Sequence, residues 1–258
     1  MPPKVNRISP QEARRLLEKH PDIFLIDVRQ PDEYEKGHIP GALLIPLPEL
    51  PDKLSELRSD KDIVTYCRLG RRSFAAAQLI ADELGIEVFT IDGGIMAWDG
   101  LVAKGDIEEG FKLLEGLKEP EEFVNLAYCL EEGSREFYLK VYDFYKEEVF
   151  KTLASVEEIH MKRISDAWPD IKIEQRFIDR MEGGLLVSAV MENILNGNMQ
   201  FQDVLEYSMQ IEVNSLDLYI RITRLIDSAI VNIFRDIISE EKIHLKKLGE
   251  IISTNING

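Results

Sequence analysis

Two copies of Glu-x-x-His, Glu157–His160 and Glu241–His244, stand 84 residues apart within apolar-striped sequence, and no other feature limits the fold as tightly. A spacing of i, i+3 puts the carboxylate and the imidazole on one face of a helix. Their neighbours on those faces are Leu153, Val156 and Ile164 in one copy and Ile237, Ile238 and Leu248 in the other. A carboxylate and an imidazole on a core-facing stripe must be paired or bound to a cation, because unpaired burial costs several kcal/mol.

These pairs belong to a longer repeat. Leu126–Tyr138 matches Tyr207–Tyr219 at an offset of 81, and Phe150–Lys162 matches Phe234–Lys246 at an offset of 84. The difference falls in the turn between two helices, where length changes are tolerated. A duplicated helical hairpin explains the pattern. Apolar periodicity predicts long helices over about 120–146, 148–167, 201–226 and 228–252. A shorter helix within 169–200 carries the chain along the bundle. Asp227 and Ser228 suit a cap at the second turn, whereas the first turn, near residue 145, has neither Gly nor Pro.

Glu131 and Glu212 are equivalent in the repeat, each seven residues before a tyrosine (Tyr138, Tyr219) and level with the Glu-x-x-His pairs. Four glutamates and two histidines inside a four-helix bundle form a ligand set for two metal ions. Hard oxygens plus imidazole suit iron or manganese, and the lack of thiolates argues against structural zinc. A lone Glu-x-x-His reads as a surface pair; two in register, each with an upstream glutamate, favour a metal. Glu182 and Glu192 lie in the connecting segment and the pattern places neither. Cys129, two residues before Glu131, points off the ligand face and reads as core packing.

The first hundred residues differ in kind. Strand-like runs at Ile23–Ile26, Ala42–Ile45, Ile63–Tyr66 and Val88–Ile91 alternate with a helix over Pro10–His20, a proline-punctuated stretch over 46–57, and a helix over Arg71–Leu84 ending at Gly85. This predicts a mostly parallel α/β sheet. The fold class is therefore multidomain: an α/β unit over residues 1–104, a linker over 105–119, and an all-α four-helix bundle over 120–258. A chain of 258 residues with 45% hydrophobic content has apolar material for both cores.

The net charge of -16 opposes nucleic acid and anionic membranes as partners. No run of eighteen apolar residues occurs and no apolar region follows the N-terminal MPPKVNRISP, so neither a membrane span nor a secretory signal is expected. With only Cys67 and Cys129, no disulfide framework and no four-cysteine metal site can form, and a cytoplasmic setting with reduced thiols is the expectation.

Cys67 sits between the Ile63–Tyr66 strand and the helix at Arg71, in Cys67-Arg68-Leu69-Gly70-Arg71-Arg72-Ser73. A short loop from a strand end to a helix N-terminus turns its amides inward as an anion cradle. Three arginines and the helix dipole favour thiolate. A cysteine phosphatase needs Cys-x5-Arg, but Ser73 holds that position and the nearest arginine, Arg72, comes one residue early. A loop this tight suits a single terminal sulfur better than a tetrahedral phosphate.

On these residues, together with Ile26-Asp27-Val28-Arg29, Glu33-Tyr34, Gly37-His38-Ile39-Pro40-Gly41-Ala42 and Gly93-Gly94-Ile95-Met96-Ala97-Trp98, residues 6 to about 103 resemble a single-domain rhodanese. The resemblance implies a sulfurtransferase in which Cys67 takes sulfane sulfur from thiosulfate or a polysulfide and passes it to a thiol acceptor or cyanide. The amides of Arg68, Leu69, Gly70, Arg71 and Arg72 would hold the persulfide. Asp27, Arg29, Glu33 and His38 would be supporting residues, His38 ordering its turn.

Residues 120–252 resemble the rubrerythrin-like branch of the ferritin-like superfamily. That resemblance implies Glu131, Glu157, His160, Glu212, Glu241 and His244 as ligands of two iron ions, with manganese as the alternative, and implies peroxide- or oxygen-linked redox activity and a homodimer. Rubrerythrins usually carry a four-cysteine rubredoxin module, which two cysteines cannot supply, so the electron donor is external and unassigned. A second reading makes the rhodanese module a sulfur sensor or adaptor and the bundle an iron-storing or iron-sensing one.

Overall fold

The computed structural model describes residues 4–20, 23–57, 60–104, 113–114, 116–226 and 230–256. They form two compact units, Met1–Ile107 and Glu108–Gly258.

In the first unit, strands β1 (Val5–Ile8), β2 (Phe24–Asp27), β3 (Leu43–Leu44), β4 (Ile63–Tyr66) and β5 (Val88–Ile91) make one sheet in the order β1-β5-β4-β2-β3. Every neighbouring pair is parallel. All four residues of β4, the central strand, are buried. A parallel strand covered on both faces reads as an unbroken apolar run, which is why Ile63–Tyr66 was legible. β1 was not expected from sequence. It is an edge strand paired only with β5, and its Asn6 and Arg7 break the apolar run.

Helices α1 (Pro10–Lys19), α2 (Pro31–Glu35), α3 (Leu50–Lys53) and α4 (Arg71–Leu84) complete the unit, and a 3-10 turn over Leu54–Glu56 accounts for the rest of the proline-punctuated stretch. Ser9 and Glu12 form a reciprocal capping box at the start of α1. α4 ends in a left-handed Gly85. It buries Ala76, Ala77, Ile80 and Ala81, mostly small side chains that let the helix lie close to the sheet.

In the second unit, α5 (Pro120–Tyr145) and α6 (Glu148–Ala167) form one hairpin, and α8 (Phe201–Leu225) and α9 (Val231–Ile256) form the other. The connecting segment holds α7 (Val187–Leu195) and 3-10 turns at Gln175–Phe177 and Glu182–Gly184. The predicted helices thus exist with ends shifted by a few residues. The expected caps Asp227 and Ser228 lie outside the described residues. The first turn manages without glycine: Lys146 itself takes the left-handed conformation, with φ of 60°. Phe137, Val141, Phe150, Leu153, Val204 and Leu205 share one buried cluster. Each such side chain contributes about 1.5–3 kcal/mol of apolar transfer free energy. Among the described residues no helix is long and apolar enough to cross a membrane.

Candidate functional site

Cys67 follows the C-terminal end of the central strand β4, where open parallel sheets present their ligand sites. Its loop is closed from the other side by the Gly93–Gly94 turn. The Ile95 amide donates to the Cys67 carbonyl at 2.8 Å and the Met96 amide to the Arg68 carbonyl at 3.2 Å. A Cβ on Gly94 would stand 2.1 Å from the Cys67 carbonyl oxygen, so only glycine permits this closure.

The Gly70 amide donates to Cys67 Sγ at 3.1 Å. Burial pushes the thiol up, but the amide and hydroxyl of Ser73 and the amides of Leu69 and Gly70 outweigh it, leaving the pKa below its ordinary value. The largest lowering contributions thus come from Ser73 and the loop amides, ahead of the arginines. Arg72 is occupied by Glu33 in a two-pronged ion pair of 2.7 and 2.8 Å, and it reaches the sulfur only secondarily. Arg68 and Arg71 are exposed. Ser73, noticed in the sequence only as a missing arginine, is wholly buried, and its Oγ accepts a 2.9 Å hydrogen bond from Thr90 Oγ1.

The supporting residues take defined places. Asp27 and Arg29 form a buried ion pair of 2.6 Å, with a further bond of 2.7 Å from Arg29 to the Gly37 carbonyl. His38 stacks on Tyr34 at 3.8 Å, and its backbone pairs with Ala103. Hydrogen bonding to Arg72 holds the Glu33 carboxyl down to about 2, against an ordinary value of 4.5. Since the folded-state pKa is depressed, the stabilisation is complete above about pH 4.5 and is lost as pH falls through about 2. Urea melts of the wild type and Glu33→Gln should therefore converge on acidification from pH 7 toward 3. A gap that stays constant would show that the clamp carries no pH-dependent stability.

In the bundle, Glu131 (α5), Glu157 and His160 (α6), Glu212 (α8) and Glu241 (α9) are all fully buried, and His244 (α9) is 9% exposed. The structure therefore brings together all six side chains singled out from the repeat. His160 Nδ1 lies 3.0 Å from Glu131, 3.2 Å from Glu241 and 3.4 Å from Glu157. His244 Nδ1 lies 3.7 Å from Glu241. The tyrosines cross between hairpins: Tyr219 donates to Glu131 at 2.6 Å and Tyr138 donates to Glu212.

The charges in this cluster do not balance. Burial and the neighbouring carboxylates push Glu157 and Glu241 well up. For Glu131, burial is outweighed by the charge and hydrogen bond of His160, so its carboxyl is held down. Burial likewise opposes the charged form of His160, yet the charge of Glu131, with Glu240 and Glu212 behind it, raises that pKa. Both oxygens of Glu157 and of Glu241, and one each of Glu182 and Glu212, are buried without a hydrogen-bond partner. Orphaned buried oxygens converging on imidazole nitrogens are what a cation would satisfy. The donor set thus fits hard metal ions such as iron or manganese.

The sequence leaves Glu182 unplaced and gives no sign of Glu240. Glu182 is fully buried, with an oxygen in one ligand group with Glu157 and Glu212, whereas Glu192 is exposed on α7. Glu240 stands 3.3 Å from His160 Nε2 and is held at 2.6 Å by Arg163. It can keep the outer ring nitrogen protonated and so leave Nδ1 for a metal. Adjacent to Glu241 in a charged run, it gave no separate signal. Cys129 is buried, and burial pushes its thiol up, in keeping with a packing role.

Comparisons agree with this division. The family model described as a rhodanese-like domain matches residues 9–101, and that described as rubrerythrin matches residues 122–253. A sulfurtransferase of Allochromatium vinosum is 37% identical over 94 residues, covering 36% of this chain and 88% of that protein. Thiosulfate sulfurtransferase GlpE of Pseudoalteromonas translucida is 32% identical over 92 residues, covering 36% of this chain and 87% of that protein. The crystal structure of a rhodanese-related protein from Thermoplasma volcanium is 29% identical, covers 38% of this chain and 97% of that one, and superposes with a TM-score of 0.35. With its helical hairpins, buried glutamates and cysteine loop accounted for, the chain belongs to the rubrerythrin family and carries a rhodanese-like sulfurtransferase domain ahead of its bundle.

Proposed function

We propose that the N-terminal unit moves sulfane sulfur through a persulfide on Cys67. The observation that carries this reading is the Cys67 sulfur at the end of β4, accepting from the Gly70 amide at 3.1 Å, in a loop whose Leu69 and Ser73 amides and Ser73 hydroxyl lower the thiol pKa against its burial. The Cys67 thiolate attacks the outer sulfur of thiosulfate; the S–S bond breaks and sulfite leaves with the electron pair. An acceptor thiolate, or cyanide, then attacks the terminal sulfur and returns Cys67 as thiolate. Arg68 and Arg71, exposed at the loop, draw the anionic donor in. A polysulfide serves in the same way, with a shorter polysulfide leaving. Mass spectrometry after thiosulfate treatment should show one added sulfur on the peptide containing Cys67. Its absence from Cys67 would overturn the persulfide route; a stable adduct that no acceptor discharges would instead make the module a sulfur adaptor.

For the second unit, the reading is a centre for two iron ions, with manganese the alternative, held by Glu131, Glu157, His160, Glu212, Glu241 and His244. When bound, two iron ions would supply paired electrons for reducing peroxide or oxygen, replenished by an external donor. The protein's own contribution is orientation. Tyr138 and Tyr219 fix Glu212 and Glu131 across the hairpins, and Glu240 faces the outer nitrogen of His160. Metal analysis of iron-loaded protein should give about two ions per chain, the number this ligand set serves in such bundles. A content near zero would sink the assignment.

A further inference from the structure

We propose that Glu182 is a seventh ligand of the metal centre, delivered by the segment between the hairpins into a slot that Gly133, Ser134 and Ser215 keep open. The proposal rests on the two-metal reading above and adds a ligand that lies outside the duplicated hairpins.

The slot is built from equivalent positions of the repeat. Gly133 and Ser134 on α5 stand at the same 81-residue offset from Asn214 and Ser215 on α8 as Glu131 does from Glu212. At Gly133 an added Cβ would lie 1.9 Å from the Arg180 carbonyl oxygen, so the connecting backbone rests directly on the helix. On the opposite side, Gly183 packs against Asn214. Ser134 Oγ accepts the Glu182 amide at 3.1 Å, and Ser215 Oγ donates to Glu182 Oε1. One member of the serine pair thus grips the backbone of the turn and the other grips its carboxylate. The single turn enters between the hairpins, where their equivalent positions face each other.

Glu182 is fully buried there. Ser215 satisfies only one of its oxygens; Oε2 is buried with no hydrogen-bond partner. A Glu182 oxygen lies within 4.8 Å of one oxygen of Glu157 and one of Glu212, a carboxylate from each hairpin. Burying a further carboxylate among carboxylates is unfavourable by charge and by desolvation. A purely structural turn would not need an acid at that place, because an amide could accept the same serine hydrogen bond. Cations at the centre give the unused oxygen its partner.

The test compares Glu182→Gln with the wild type as full chains, using cobalt(II) as the probe. Glutamine keeps the side-chain length and can accept from Ser215. The expected result is at least about a tenfold weaker cobalt affinity, with a changed visible absorption spectrum reporting a changed coordination sphere. The metal-free variant should melt no lower than the metal-free wild type. Glu192→Gln, the same change at an exposed glutamate of the connecting segment, should bind cobalt as the wild type does. Equal affinity and an unchanged spectrum in Glu182→Gln would overturn the proposal while leaving the two-metal reading intact. A wild type that binds no cobalt, iron or manganese would overturn both. If Glu192→Gln lost affinity as deeply as Glu182→Gln, the charge of the connecting segment rather than a ligand contact would be at work, and the seventh-ligand assignment would fail.

Discussion

Replacing Cys67 with serine removes thiocyanate formation from thiosulfate and cyanide by at least about a thousandfold, the scale of losing a covalent nucleophile. Serine fits the same slot but offers no thiolate, so folding and the metal content of the bundle should be unchanged. The only other thiol, Cys129, is buried with its pKa pushed up by that burial, and it offers no alternative route. The pH profile sharpens the expectation. A lowered Cys67 pKa keeps the thiolate populated below the ordinary thiol range, and activity falls as pH drops through that lowered value. Ser73→Ala removes one donor to the sulfur, so its acidic limb should move to higher pH while activity at high pH is largely kept. An acidic limb that does not move would mean that the amides alone set the thiolate, with Ser73 serving only Thr90 and the helix start. Residual wild-type activity in Cys67→Ser would place the sulfur on some other group.

The parts of this protein that were legible in sequence are those where a period converts spacing into a face. Glu131, Glu157, His160, Glu212, Glu241 and His244 all sit on long helices, so their positions in the repeat fixed which way they point. β4 was legible because burial on both faces demands an unbroken apolar run. The residues that escaped are those with no period to read. Glu182 opens a short 3-10 turn ahead of two glycines, a turn that sequence alone cannot orient. The serines that hold it, Ser134 and Ser215, looked like ordinary small residues of a helix. Glu240 was hidden beside a stronger candidate. Ser73 acts through one hydroxyl and one amide at the first turn of α4, and the eye goes to the arginines around it. β1 is an edge strand with polar residues, where the hydrophobic signal is weakest. In each case the missing information was tertiary: which irregular backbone is pressed against which helix.

Loading metal-free protein with ferrous or manganous ion should raise the melting temperature of the bundle by about 15–30 °C. An ion held at a thousand times its dissociation constant contributes about 4 kcal/mol, and two contribute about 8. For a unit of this size each kcal/mol shifts the transition by about 2–4 °C. The sharper expectation concerns the sign of a single substitution. In the metal-free state the Glu157 carboxyl is buried without a hydrogen-bond partner and its ionisation is opposed by burial and by Glu182, Glu212 and Glu131. Glu157→Gln replaces it with a neutral group of the same shape, so the metal-free variant should melt at or above the metal-free wild type. In the loaded state the same change deletes a charged ligand, so the variant should melt well below the loaded wild type. The ranking of the two proteins therefore inverts on adding metal, which calorimetry with and without chelator reads directly. A variant that ranks below wild type in both states would instead make Glu157 a structural residue of the core, with a partner other than a cation.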